Sequence, residues 1–424
     1  MPTGIPPARL RDLSGCGRNW RVADFHQSGS ITTLHRLGIP DIGRLERELT
    51  GFSDARPITL ILPCHTGEVG TAGLDSIICE LALVPYLKRI IVGIDGATRR
   101  RDWDAARAYF GRLPQRPLLI WNDGPRMKEL FRTLAEAGFD PGPPGKGRNV
   151  RICFGSALAD EKQGVIAVHD CDILAYSREI LARLCYPLAH PNWGFRFCKG
   201  YYARVSDRLD GRLTRLLLTP LLDTLRSQIA PHRGLAYLEH FRYPLSGECA
   251  LDMDVARRAG IPGDWSLEVG MLAEVARHLP PGAICQSELC ENYDHKHRDL
   301  SPGDIDRGLG KMATDIALSI FRELGRQGAH MDAGLLDGLP DAYARQAGEC
   351  LRHYAADAAI NGLLYPRDDE ELAVDTFVRC IRAAMASLGK NPKADIIPPS
   401  WSLVEQALPA FLPSLAEAVR RDNA

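Results

Sequence analysis

No stretch of this chain approaches the roughly 20 consecutive apolar residues that a membrane-spanning helix needs, so no transmembrane helix is expected. Neither sign of charge is in excess. Lys and Arg number 52 against 53 Asp and Glu, a formal net charge of −1, which leaves no global field for gripping nucleic acid or an anionic membrane. An anionic substrate must therefore be met by a local basic site. The 12 cysteines are scattered singly, without a CxxC pair or zinc-type spacing. Several, such as Cys79 and Cys153, lie in apolar segments, and they read as buried reduced thiols rather than a disulfide or metal framework. Met1 to Arg11 carries prolines and arginines without an apolar core, so a secretory signal is not expected and the protein reads as cytoplasmic. The GxxxxGK[ST] frame is missing, which argues against a P-loop ATPase, and Gly155-Ser156 lacks the nucleophile-elbow pattern of a serine hydrolase.

What is present is an ordinary globular composition, 45% hydrophobic and 25% charged, over 424 residues, enough for two or three units or for one large α/β domain with an extension. Pro57 to Pro63 and Arg89 to Asp95 are short apolar β-type runs with polar residues at their carboxyl ends, separated by a helical pattern around Leu74 to Leu87. Pro117 to Trp121 supplies a third strand, Met127 to Ala137 a helix, and Gly164 to Val168 a fourth strand that runs into His169-Asp170-Cys171-Asp172. Asp140 to Gly147 is rich in turn formers and reads as a surface loop. Helical periodicity follows over Ile305 to Arg326, Ala342 to Asn361, Glu370 to Leu388 and Leu403 to Arg420. The expected division is a partly helical N-terminal segment over 1–55, an α/β domain over 56–302, and a helical extension over 303–424 that packs on the core or forms an oligomer contact.

Open parallel sheets bind ligands at the carboxyl ends of their strands, which is where Asp170 and Asp172 fall. One or two carboxylates, completed by phosphate oxygens and water, are what Mg²⁺ or Mn²⁺ needs in a diphosphate site. Glu291 to Asp299 is the densest polar cluster. It is either a solvated loop or a source of one imidazole for the Asp172 metal, with Lys296 or Arg298 meeting phosphate. Gly145-Lys146-Gly147-Arg148 offers two cations to a diphosphate, and Gly211-Arg212-Leu213-Thr214 a guanidinium and a hydroxyl to a phosphate or carboxylate. Glu248 and Glu268 sit in apolar or glycine-containing stretches, where a carboxylate must be solvated or paired.

Taken in order, these pieces resemble the glucosyl-3-phosphoglycerate and mannosyl-3-phosphoglycerate synthases, retaining GT-A enzymes that move a hexose from a nucleotide sugar to D-3-phosphoglycerate. The likeness runs from Phe25-His26-Gln27 through Leu62-Pro63, Asp95-Gly96, Gly145 to Gly147, Asp170 to Asp172, Gly211 to Thr214, Pro244 to Glu248 and Leu267 to Gly270 to His295-Lys296-His297. It implies an α/β GT-A core with a C-terminal helical extension, a divalent cation (Mg²⁺ or Mn²⁺), a nucleotide-sugar donor, a phosphorylated three-carbon acceptor and a homodimer. Carried over residue by residue, it puts Pro63, Asp95 and Lys146 around the base and diphosphate, with Asp170 supporting, and Asp172 and His295 on the metal. Gly211, Arg212 and Thr214 would hold the acceptor, with His297 where asparagine is familiar. Glu268 would lie near the sugar, and the Leu245 carbonyl would face the reacting centre.

One segment departs from the family pattern. Where a proline is followed by asparagine and paired glutamates, this chain reads Pro63-Cys-His-Thr-Gly-Glu68, so His65 or Glu68 would substitute in base recognition. The expected product is glucosyl-3-phosphoglycerate. GDP-mannose as donor, a nucleotidyltransferase, and a non-catalytic sugar-nucleotide-binding protein are the alternatives.

Overall fold

Residues 27, 29–160, 163–229, 231–293, 305–329, 333–390 and 398–424 are described by the computed structural model. Among them eight strands form one sheet: β1 (Thr32–Leu34), β2 (Ile58–His65), β3 (Leu87–Asp95), β4 (Leu118–Trp121), β5 (Val165–Val168), β6 (Phe197–Ala203), β7 (Cys249–Asp252) and β8 (Ile284–Asn292). Their spatial order is β1-β8-β6-β7-β5-β2-β3-β4. Only β7 runs against its neighbours, β5 and β6; the other pairs are parallel.

The near-continuous apolar runs of β2 and β3 follow from burial on both faces. Leu60 and Leu62 enter one core and Ile61 the opposite one; Ile90 and Val92 share the first core, while Ile91 faces the second. The helix between these strands spans Ala72–Leu81, shorter than expected, and stops ahead of Pro85, which cannot continue it.

The register brings several strand ends to one edge of the sheet. His65 stands opposite Asp95, and Ile61 opposite Val168. Because β7 is antiparallel, its first residue, Cys249, pairs with Val168 and delivers Gly247 and Glu248 to the same edge. A helix over Lys146–Asp160 lies across β2 and β3, so Lys146 opens a helix rather than closing a loop. It comes so close to β3 that a Cβ on Gly93 would sit 1.7 Å from Asn149 Oδ1. The Asn149 amide instead donates to the Gly93 carbonyl at 2.8 Å, which fixes where the helix begins.

The C-terminal region forms helices over Gly308–Arg326, Ala333–Ile360, Arg367–Lys390, Trp401–Ala407 and Phe411–Asn423. The single last helix expected over Leu403 to Arg420 is thus two, because Pro409 lacks an amide donor and biases Leu408 away from helical backbone. These helices pack on the sheet domain. Trp401 Nε1 donates to the Arg151 carbonyl at 3.1 Å, and the Asn423 side chain bonds both the amide and the carbonyl of Leu119, covering the edge strand β4. All described cysteines are free and most are buried, but Cys79 is exposed, contrary to the expectation from its apolar surroundings.

Candidate active site

A cavity of about 1120 Å³ opens at the strand-end edge. Pro63, His65 and Glu68 line it from the end of β2, Asp95 from β3, Lys146 from the helix start, and Asp170 and Asp172 from the segment after β5. Gly211, Arg212 and Thr214 line it from the turn beyond β6, Leu245 from the segment before β7, and Glu268 from the first turn of the helix Leu267–His278. Every proposed site residue among those described therefore faces one cavity. His295 and His297, with Lys296 and Arg298, lie outside the described residues, as do Phe25 and His26.

Lys146 is the ionic centre. Its Nζ lies 2.6 Å from Asp170 Oδ1 and 3.0 Å from Glu268 Oε1. Burial works against the ammonium, but the charges of Asp170 and Glu268 outweigh it and hold the group well above the ordinary lysine range. Arg148, read from sequence as a second diphosphate cation, does not line the cavity. It is buried with its guanidinium 4.6 Å from the Phe131 ring centroid, because the helical periodicity that aims Lys146 into the cavity turns Arg148 into the core.

Asp172 differs from Asp170. Among the described residues its carboxylate accepts no hydrogen bond, and burial, then the charge of Asp170, push it up to about 7; Lys146 opposes this, while Glu68 and Glu248 add to it. Crowded carboxylates of this kind suit a hard divalent cation, which relieves their repulsion. No three His, Cys, Asp or Glu side chains among the described residues form a ready metal cage.

Glu248 does not line the cavity. It is fully buried, and its carboxylate accepts 2.6 Å hydrogen bonds from the stacked pair Tyr202 and Tyr293. Buried Lys199 donates to the Ser246 carbonyl at 2.6 Å, and Ser246 Oγ to the Gly200 carbonyl at 2.6 Å. These bonds brace the segment that carries Leu245. Gly247 allows its close approach, since a Cβ there would stand 2.5 Å from Asp170 Oδ2.

Asp95 accepts from Asn122 Nδ2 at 2.8 Å, and burial raises its carboxyl to about 6. His65 keeps its Nδ1 on the Gly67 amide at 3.1 Å. On the opposite wall Arg212 Nε donates to Glu370 Oε1 at 2.7 Å, and the buried Thr214 hydroxyl has no partner among the described residues. Asp123, Arg204, Lys311 and Asp315 also line the cavity without a sequence motif to mark them, and Glu370 does not line it. The signal for Asp123 and Arg204 is their place as polar residues just beyond the ends of β4 and β6. Glu370 was hidden in an acidic first helical turn, which is common at helix N-termini.

No family model matches the chain. It is 40% identical over 402 residues to the glucosyl-3-phosphoglycerate synthase of Persephonella marina, covering 95% of this chain and 99% of that one. With the enzyme of that name from Methanococcoides burtonii it shares 37% identity over 404 residues, 94% of this chain and 98% of the other. The Mycobacterium tuberculosis enzyme of that name, solved with Mn²⁺, UDP-glucose and phosphoglyceric acid, matches with a TM-score of 0.51 and 24% identity, over 72% of this chain and 90% of that one. Its complex with Mg²⁺ and UDP gives a TM-score of 0.50 at 24% identity, over 70% and 87%. The structural likeness carries the fold, an α/β core of GT-A type with C-terminal helices. The sequence likeness over nearly the whole chain carries the family: this chain belongs to the glucosyl-3-phosphoglycerate synthases, which are glycosyltransferases.

Proposed function

We propose that this protein transfers glucose from UDP-glucose to D-3-phosphoglycerate with retention of configuration, giving glucosyl-3-phosphoglycerate. The observation that carries the reading is one cavity whose walls join the Lys146, Asp170 and Asp172 group to Arg212 and Thr214. The first group suits a diphosphate, and the second suits the phosphate of a small acceptor.

Asp172, with His295, would hold Mg²⁺ or Mn²⁺, which when bound neutralises charge on the departing diphosphate. Lys146 meets the same diphosphate at the start of its helix, where first-turn amides lack intrahelical acceptors and favour anions. Asp170 and Glu268 keep Lys146 protonated and aimed. Pro63, Asp95 and either His65 or Glu68 form the base end. The Arg212 fork and the unpartnered Thr214 hydroxyl bind the acceptor phosphate beside Gly211, with His297 as a further acceptor contact.

Leu245 presents its carbonyl to the reacting centre from the braced segment; the acceptor hydroxyl oxygen bonds to the anomeric carbon from the face the diphosphate leaves, the bond to the diphosphate oxygen breaks, and the hydroxyl proton passes to that departing oxygen. A covalent glycosyl intermediate is disfavoured. Glu248 has both carboxylate oxygens occupied by tyrosine hydroxyls, and Glu268 is paired with Lys146. Positioning and electrostatic stabilisation then supply most of the rate.

A cytoplasmic homodimer completes the reading; symmetric dimers are the commonest oligomers, and no helix among the described residues is long and apolar enough to cross a membrane. The test offers UDP-glucose and GDP-mannose side by side with D-3-phosphoglycerate or D-glycerate, and determines the anomeric configuration of the product by NMR. An α-linked glucosyl product made only from the phosphorylated acceptor is expected. Equal use of D-glycerate would remove the phosphate site, and an inverted anomeric centre would remove retention.

A further inference from the structure

We propose that Glu370, in the C-terminal helix Arg367–Lys390, is a positioning residue of the acceptor pocket that acts through Arg212; this rests on the reading of Arg212 as the acceptor-phosphate contact. Glu370 is only 3% exposed and lies between two guanidinium groups. Its Oε1 accepts from Arg212 Nε at 2.7 Å and its Oε2 from Arg215 Nη1 at 2.8 Å.

The two arginines are used differently. Arg215 is buried, and its Nε and Nη2 donate to the carbonyls of Asp210 and Leu209, each at 2.8 Å. It is an anchor with no fork left for a ligand. Arg212 is partly exposed at the cavity wall; its Nη2 lies 3.9 Å from Oδ2 of the exposed Asp369, a loose ion pair too long for a hydrogen bond, and among the described residues its terminal nitrogens make no hydrogen bond. Glu370 thus grips Arg212 by its inner nitrogen and leaves the outer pair for a phosphate, which a guanidinium recognises best as a two-pronged fork.

A second contact ties the same region together. The Leu364 amide, in the turn before the Glu370 helix, donates to the Asp207 carbonyl at 2.8 Å. The cavity-lining segment from Arg204 to Arg212 is therefore held from the C-terminal helices at two points. A freely rotating Arg212 would have to be ordered at each binding event, whereas here its order is established on folding.

The experiment measures kcat and both KM values with UDP-glucose and D-3-phosphoglycerate for wild type, Glu370→Gln, Arg212→Ala and the double variant. Glutamine has the same shape but only one accepting oxygen, so it cannot hold both arginines. Glu370→Gln is expected to raise the acceptor KM about tenfold, the worth of one charge-assisted hydrogen bond, with the UDP-glucose KM within about twofold of wild type. On the Arg212→Ala background the same change should move the acceptor KM less than about twofold, because its effect runs through Arg212. An unchanged acceptor KM in Glu370→Gln, a parallel rise of both KM values, or an equal effect on the two backgrounds overturns the proposal. If Arg212→Ala itself leaves the acceptor KM unchanged, the reading of the acceptor site falls first and takes this proposal with it. Should Glu370→Gln not fold, Glu370→Asp, which keeps the charge but shortens its reach, carries the same test.

Discussion

Lys146 Nζ lies 2.6 Å from Asp170 Oδ1, an ion pair joining the first residue of a helix to a carboxylate two positions beyond the end of β5. The pair is only partly exposed and is reinforced by Glu268, so it is more than a surface salt bridge. It ties the diphosphate side of the cavity to the segment that carries Asp172. Lys146→Ala should lower kcat at least about 100-fold, by removing a cation aimed at developing negative charge. Lys146→Arg should recover only part of this, since a planar fork does not replace a point charge between two carboxylates. Steady-state kinetics with UDP-glucose decide it, and an alanine variant within about tenfold of wild type would remove Lys146 from the chemistry.

Asp172→Asn keeps the side-chain shape and removes the charge. Turnover with Mn²⁺ or Mg²⁺ is expected to fall by at least about 1000-fold, and binding of Mn²⁺ in the presence of UDP, followed by electron paramagnetic resonance, should weaken in parallel. Chelation with EDTA should silence wild type and be reversed by adding the cation back. Unaltered Mn²⁺ binding in Asp172→Asn would show that the metal is held elsewhere.

Asp172 was legible in the sequence because strand ends in an open sheet announce themselves, an apolar run and then a carboxylate, and Lys146 because it is a cation among glycines in a turn-rich segment. The parallel pairing of β2 with β3 followed from the strand, helix, strand pattern, whereas the place of β5 on the other side of β2 did not. What the sequence concealed depends on packing between distant segments. Arg148 and Lys146 look equivalent two residues apart, yet helical geometry sends one to Phe131 and the other to the cavity. Glu248 and Glu268 both sit in apolar or glycine-containing stretches, yet Tyr202 and Tyr293 close over the first alone. Glu370 is 158 residues from the arginine it holds, a separation no local pattern spans.

His169 should give the fold a pH limit. It is fully buried; its Nδ1 lies 2.9 Å from the Asp170 carbonyl and its Nε2 3.1 Å from the Tyr176 hydroxyl. A carbonyl only accepts, so the proton sits on Nδ1 and the Tyr176 hydroxyl donates to Nε2. Burial lowers the imidazole from 6.5 to about 4. The unfolded chain therefore takes up this proton first, and stability contributed by neutral His169 is complete above about 6.5 and lost as pH falls toward 4. The loss at pH 5 is about 2 kcal/mol. In His169→Gln the amide can donate and accept, and the stability gap between wild type and variant should narrow by about that amount between pH 7.5 and pH 5 in urea unfolding. A gap independent of pH would mean that His169 titrates normally.

Two glycines separate stability from catalysis. A methyl group on Gly93 would meet Asn149 Oδ1 at 1.7 Å and Cys153 Sγ at 2.7 Å, both on a buried helix that cannot move without dragging the core. Gly93→Ala should cost about 2–3 kcal/mol or prevent folding, as overpacking of a dense interior does. A methyl group on Gly247 would instead meet the Asp170 carboxylate, with Oδ2 at 2.5 Å, the far end of a side chain at the cavity wall. Asp170 can rotate away, so Gly247→Ala should lower stability by less than about 1 kcal/mol. The rotation breaks the contact with Lys146, and kcat should fall about 10- to 100-fold, as expected when a catalytic group shifts by an ångström. Thermal unfolding and kcat measured on the same two variants check both halves. A Gly247→Ala enzyme of full activity would mean that the position of Asp170 does not matter to turnover.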